Sequence, residues 1–198
     1  MIGTRIKEKG PEYYTGVYRS SGKFHLHYKD SPYYVLWTQV ITFVKQFAHP
    51  KILEIGCGTG QFAHYLYDEG FRDYCGIDFS PEAVEFAKKT VNQSFSVGDC
   101  RNSDAFSRDY DLVIALEVLE HIRNDRAVIN NIKKGTDIIF TLPTFNEPSH
   151  IRVFKKPRDI DIKKIVRVDK WFVCCGKVVK KYRPRIWERL LRIRRILR

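Results

Sequence analysis

Residues 51 to 60 read KILEIGCGTG, an apolar run that stops at three glycines in alternate positions. Ile52, Leu53 and Ile55 have the pattern of a buried parallel strand. Gly56, Gly58 and Gly60 fit the turn at its carboxyl end, with a helix opening near Gln61. Glycines admit positive φ and carry no Cβ, so a turn built from them can lie directly against a ligand. A dinucleotide fingerprint would need its third glycine at position 61, where this chain has Gln61, so the spacing argues against a pyrophosphate.

A chain of 198 residues accommodates one α/β domain with a proper core and is too short for two large ones. No apolar run approaches the ~20 residues that would span a bilayer. The first ten residues, MIGTRIKEKG, lack the apolar core of a signal peptide, so a cytoplasmic location is expected. The five cysteines show no metal-ligand spacing and are expected as buried free thiols. Charge is unevenly placed. Of the net +12, residues 151–198 hold 18 Lys and Arg against 4 Asp and Glu, a net of +14, which leaves residues 1–150 at −2.

The segment Glu54-Ile-Gly-Cys-Gly-Thr-Gly60 resembles the first motif of the class I S-adenosylmethionine-dependent methyltransferases. That resemblance implies a doubly wound, Rossmann-like α/β sheet, mostly parallel with one antiparallel strand, and S-adenosylmethionine as cofactor. The acid and the glycines would hold its methionine part. The second strand is expected over Tyr74 to Asp78, which puts Asp78 at a strand end 18 residues past Gly60, where a carboxylate in a βαβ unit reaches ribose hydroxyls. GIDFS there looks like the family's second motif, with Phe79 beside the adenine. Ser80-Pro81-Glu82 starts the next helix, through residue 90. A third strand near Ser94 to Val97 leads to Asp99, the acceptor for the adenine amino group in similar enzymes. Cys57, Cys100 and Leu116, next to these motifs, complete the implied cofactor set.

The fourth and fifth strands are expected at 111–116 and 137–142, followed by a hairpin of 162–168 and 171–180 turning at Asp169-Lys170. The resemblance thus covers roughly residues 50 to 180. Residues 1–38 are crowded with aromatics and look irregular up to Ser31-Pro32, which should cap a helix through about residue 47. His25 and His27 in this stretch read as surface or packing residues. The whole is expected as one domain: an N-terminal aromatic arm and helix acting as a lid (1–48), a cofactor-binding core (49–180) and a basic amphipathic C-terminal helix (181–198).

Directly after the fourth strand comes Glu117-Val-Leu-Glu120-His121. A helix starting at residue 117 would bring both carboxylates and the imidazole to one face, a group suited to Mg²⁺, Mn²⁺ or Fe²⁺ rather than a structural zinc. EVLEHI is similar to the ubiquinone-type O-methyltransferases, where such residues bind a divalent ion, and to small-RNA 2′-O-methyltransferases, which add a histidine after the fifth strand. Here His150 follows that strand, without the long insertion of the RNA enzymes. The expected metal set is Glu117, Glu120, His121 and His150; Glu117, His121 and His150 are the catalytic candidates.

The tail RIWERLLRIRRILR spaces Ile186, Leu190, Ile193 and Leu197 as an apolar stripe among arginines. It could dock on its own domain, an anionic membrane surface at the inner face, or a phosphate-rich substrate. The leading expectation is an O-methyltransferase acting on a hydroxyl or phosphate-linked oxygen of a small molecule or glycan, such as one in bacterial surface-glycan assembly. The alternatives are an RNA 2′-O-methyltransferase and a methyltransferase-fold binding module without turnover.

Overall fold

The computed structural model describes residues 7–151, 153 and 164–178. Segments of four to seven residues become the strands β1 (Ile52–Ile55), β2 (Tyr74–Asp78), β3 (Ser94–Val97), β4 (Leu112–Ala115), β5 (Asp137–Pro143), β6 (Lys164–Val168) and β7 (Trp171–Lys177). They form one sheet in the order β3-β2-β1-β4-β5-β7-β6. β1 pairs parallel with both β2 and β4, while β7 lies antiparallel to β5 and to β6, so β7 alone is reversed. The expected sheet and the hairpin at Asp169-Lys170 are both present.

Alternation along the strands divides the core between the two faces. Ile52, Leu112, Ile114 and Ile139 face one side, and Leu53, Ile55, Val113 and Ala115 the other. The helices α2 (Tyr34–Val44), α3 (Gln61–Asp68) and α4 (Pro81–Thr90) cover the first side with Leu36, Val40, Phe62, Leu66, Val84 and Ala87. α5 (Asp125–Asn131) covers the second through Val128. Both faces are therefore dry, which is why the strands read as continuous apolar runs. Strand order reverses between β1 and β4, and that places a crevice at their carboxyl ends.

Three local expectations are corrected. The arm is not irregular before residue 31: α1 spans Pro11–Ser20, with Pro11 in its first turn and Glu12 favouring the positive end of the helix dipole. The helix expected to open at Ser31-Pro32 begins at Tyr34, because Ser31 instead closes a turn, its Oγ accepting the Tyr33 N–H at 3.3 Å. No helix starts at residue 117. Glu117 has φ 54, and only a short 3-10 turn, Leu119–His121, follows. The basic tail lies outside the described residues. Among those described, no helix is long and apolar enough to cross a membrane.

Candidate functional site

The glycine turn carries the site's floor. Gly56 and Cys57 donate their N–H groups to Ile77 O, at 2.7 and 3.0 Å, which locks the turn to the end of β2. Gly56, Gly58 and Gly60 have φ of 72, 53 and 80. A Cβ on Gly56 would run into the Val118 side chain, and one on Gly60 would lie 3.0 Å from Ala87 Cα of α4. The first glycine is therefore required by the loop after β4 and the third by close helix packing. Both constraints come from elements far away in sequence.

Asp78 is 4% exposed, and its two oxygens accept main-chain N–H groups from Gly58 at 3.0 Å and Ser80 at 2.9 Å. Burial raises its pKa to about 6, against the lowering effect of those donors. Glu54, 2% exposed, accepts the Tyr74 hydroxyl at 2.5 Å. Burial pushes it up to about 8, although the Tyr74 bond pulls the other way. A cationic group placed beside such a buried carboxyl would favour its ionised form and draw this pKa down.

Two cavities meet over this floor. One of about 90 Å³ is lined by Asp78, Phe79, Asp99 and Cys100, and one of about 200 Å³ by Glu54, Cys57, Gly58 and Leu116. Tyr14, Tyr18, Gly56, Glu117 and His121 line both. With Gly60 the exception, the expected cofactor residues thus line one or other of these two neighbouring cavities. α1 forms its roof: Thr15 Oγ1 lies 3.1 Å from Ser80 Oγ, Arg19 pairs with Glu82 at 2.8 Å, and the Tyr14 ring packs 5.3 Å from Phe79 and 5.8 Å from His121.

Sequence reasoning missed Arg101 and Glu8. The Arg101 guanidinium bonds the Asp99 carboxylate and also Glu8 at 2.7 Å, so the acid expected to meet an adenine amino group is already paired with a cation. Nothing in the local spacing signals a contact between positions 8 and 101.

The expected metal set divides. Glu120, His121 and His150 offer ligand atoms within 4.8 Å of one another. Glu117 stands apart from that group, its carboxylate taken by the Thr141 hydroxyl and the Trp171 Nε1–H, each at 2.8 Å. Its pKa rises to about 7, chiefly through burial. His121 Nδ1 is 3.1 Å from Ser149 O, and His150 Nδ1 3.2 Å from Phe145 O. A carbonyl can only accept, so each Nδ1 carries the proton and each Nε2 the lone pair. Burial lowers the pKa of both, that of His121 to about 4, and so favours the neutral imidazole at each. His121 Nε2 lies 3.9 Å from Glu120 Oε1, and Glu120 is fully buried. His150 lines neither cavity and packs behind His121, with ring centroids 4.9 Å apart. It is better placed to ligate with His121 than to touch an acceptor directly.

Residues 31–191 match the family described as a methyltransferase domain. The chain is 27% identical over 136 residues to a ubiquinone biosynthesis O-methyltransferase of Erwinia tasmaniensis, covering 59% of this chain and 56% of the relative. The chain therefore spans about half the length of that curated relative. Among solved structures, it resembles magnesium protoporphyrin IX methyltransferase from Synechocystis with bound SAM (TM-score 0.60, 16% identity, 87% of this chain and 97% of that one). It also resembles the N-methyltransferase NodS of Bradyrhizobium japonicum in complex with S-adenosyl-L-homocysteine (TM-score 0.55, 22% identity, 68% and 74%). These two likenesses establish the fold.

Proposed function

This chain belongs to the methyltransferase-domain family, and from that premise we propose that it is an S-adenosylmethionine-dependent O-methyltransferase acting on a hydroxyl of a small molecule or sugar, assisted by a divalent ion. S-adenosylmethionine, when bound, supplies an electrophilic methyl on a sulfonium. Phe79 and Asp78 fit its adenosine, and Glu54 with the glycine turn fits its cationic methionine end. Tyr14, Glu117 and His121 line both cavities, so the methyl would arrive beside them, beneath α1. With α1 as its lid, the site would exclude water and hold the acceptor oxygen in line with methyl and sulfur.

The observation that carries the oxygen-acceptor reading is the pair of neutral imidazoles, each with its Nε2 lone pair, grouped with the buried Glu120. Two imidazoles and a carboxylate suit Mn²⁺ better than Mg²⁺, which takes oxygen ligands. An ion held there would lower the pKa of an acceptor hydroxyl. His121, which lines both cavities, is the residue able to receive the proton if no ion is held. A second reading, methylation of a ribose 2′-hydroxyl of RNA, is favoured by one feature: the third donor, His150, comes from the loop after β5.

The test is calorimetric binding of S-adenosylmethionine and S-adenosylhomocysteine, followed by transfer of labelled methyl from the cofactor into small-molecule and RNA fractions. Absence of cofactor binding ends the proposal. Labelling of the RNA fraction selects the second reading. Cofactor binding with no transfer to either fraction would make the chain a binding module, and unchanged transfer in excess chelator removes the ion.

A further inference from the structure

A second group of metal-type donors lies on the outer side of α3, where nothing in the proposed reaction uses it. His64 and Asp68 stand one helical turn apart on α3 and so share a face. His27 comes to them from the arm, at the start of the 3-10 turn Tyr28–Asp30. The three offer ligand atoms within 4.8 Å of one another. We propose that His27, His64 and Asp68 form a zinc site that fastens the arm to α3.

The surroundings set these side chains up as ligands. Tyr28, 2% exposed, stacks on Tyr65 with centroids 4.6 Å apart and planes 8° from parallel, and this fixes the backbone next to His27. The Tyr28 hydroxyl donates to Asp68 Oδ2 at 2.7 Å, orienting the carboxylate so that Oδ1 turns to His64 Nε2 at 3.8 Å. That separation is too long for a hydrogen bond. Ligand atoms sharing a tetrahedral Zn²⁺ with ~2.0–2.2 Å bonds lie about 3.4 Å apart, so small side-chain rotations would close the set. His27 and Asp68 are exposed and have room to make them. The His27 and His64 rings are already edge to face at 4.9 Å. Ligation through His27 would replace only a weak contact, the 3.3 Å bond from Lys29 N–H to its Nδ1. Two imidazoles and one carboxylate, half open to water, match a three-ligand zinc site with a solvent position.

The site's location gives it a consequence. The arm segment just before His27 is tied to the glycine turn and to the start of α3 by Thr59 Oγ1 donating to Phe24 O, and by Gln61 Nε2 donating to Lys23 O and Leu26 O. Lys23 and Phe24 form a wall of the larger cavity. Zinc at His27, His64 and Asp68 adds a further tie one residue after Leu26 and restrains that wall.

The experiment is Zn²⁺ titration of the full chain by calorimetry, with His150→Gln as background to disable the other donor group. In that background, His27→Gln and His64→Gln should each remove one zinc equivalent or weaken it at least tenfold. Tyr28→Phe, which keeps the stack but frees Asp68, should weaken it about 10–100-fold. Zinc should also shift the imidazole nitrogen resonances of His27 and His64 and slow amide exchange over residues 21–30. His27 is exposed, so its variant keeps the test valid if His64→Gln fails to fold. Zinc uptake unchanged in His27→Gln, or no uptake in the His150→Gln background, overturns the proposal.

Discussion

Thr141 Oγ1 accepts the Glu117 main-chain N–H and donates to the Glu117 carboxylate, both at 2.8 Å. This reciprocal pair joins the end of β4 to the middle of β5, and it holds Glu117 in a left-handed conformation with φ 54. A residue with positive φ lies outside the right-handed helical region, so a helix cannot run on from Glu117 itself, and its carboxylate parts company with Glu120 and His121. Thr141 is fully buried. Thr141→Val preserves shape and removes both bonds, and should cost about 1–3 kcal/mol, read from the denaturant midpoint. An unchanged midpoint would mean the pair does not hold this turn.

Two glycine replacements should act in opposite directions. Gly56→Ala meets a positive φ, worth about 1–2 kcal/mol, and the Val118 side chain besides, so it should destabilise the fold and abolish cofactor binding. Gly16 lies within α1 with nothing within 4 Å of its would-be Cβ. Gly16→Ala should therefore stabilise the protein by about 0.5–1 kcal/mol. Thermal melts of the two variants beside the parent check both signs.

Asp78→Asn should damage fold and ligand binding together. Both oxygens of Asp78 accept main-chain N–H groups. The amide has one acceptor and turns its NH₂ on the other donor, at a cost of about 1–3 kcal/mol. Calorimetry on the folded variant should show at least tenfold weaker binding of S-adenosylhomocysteine, and unaltered affinity would remove Asp78 from the nucleoside site.

Glu54 gives the protein a pH dependence of defined sign. Its pKa rises from 4.5 in the unfolded chain to about 8 when folded, so between those values the native state binds the extra proton. Its contribution to stability is complete below 4.5 and is lost as pH rises through about 8. Asp78 and Glu117, also raised by burial, act in the same direction. The unliganded protein should thus lose stability from pH 5 toward 8, and Glu54→Gln should flatten part of the slope in urea titrations. A cation favours the carboxylate, so S-adenosylmethionine should bind more tightly as pH rises across this window and release protons on binding. A pH-independent affinity would separate Glu54 from the cationic end of the cofactor.

Residues 52–60 and 74–82 carried their structure in the sequence. Their strand ends, glycines and Ser80 cap are local patterns, and β1, β2 and the start of α4 fall where those patterns put them. The family's first and second motifs were legible for the same reason. The arm was misread because its tyrosines hid a start signal that was present, Gly10-Pro11-Glu12, and α1 is stabilised by contacts to Ser80 and Glu82, far along the chain.

What tertiary structure decided is how side chains from separate strands share partners. Sequence placed Glu117, Glu120 and His121 on one helical face by spacing alone, but Thr141 on β5 and Trp171 on β7 took the first of them. His150 joined the other two because its loop folds back, with Ile151 N–H bonded to Glu120 O at 2.9 Å. Periodicity fixes which residues can face together along one element. Which groups actually meet depends on hydrogen-bond donors brought in by other elements, and no local pattern encodes those.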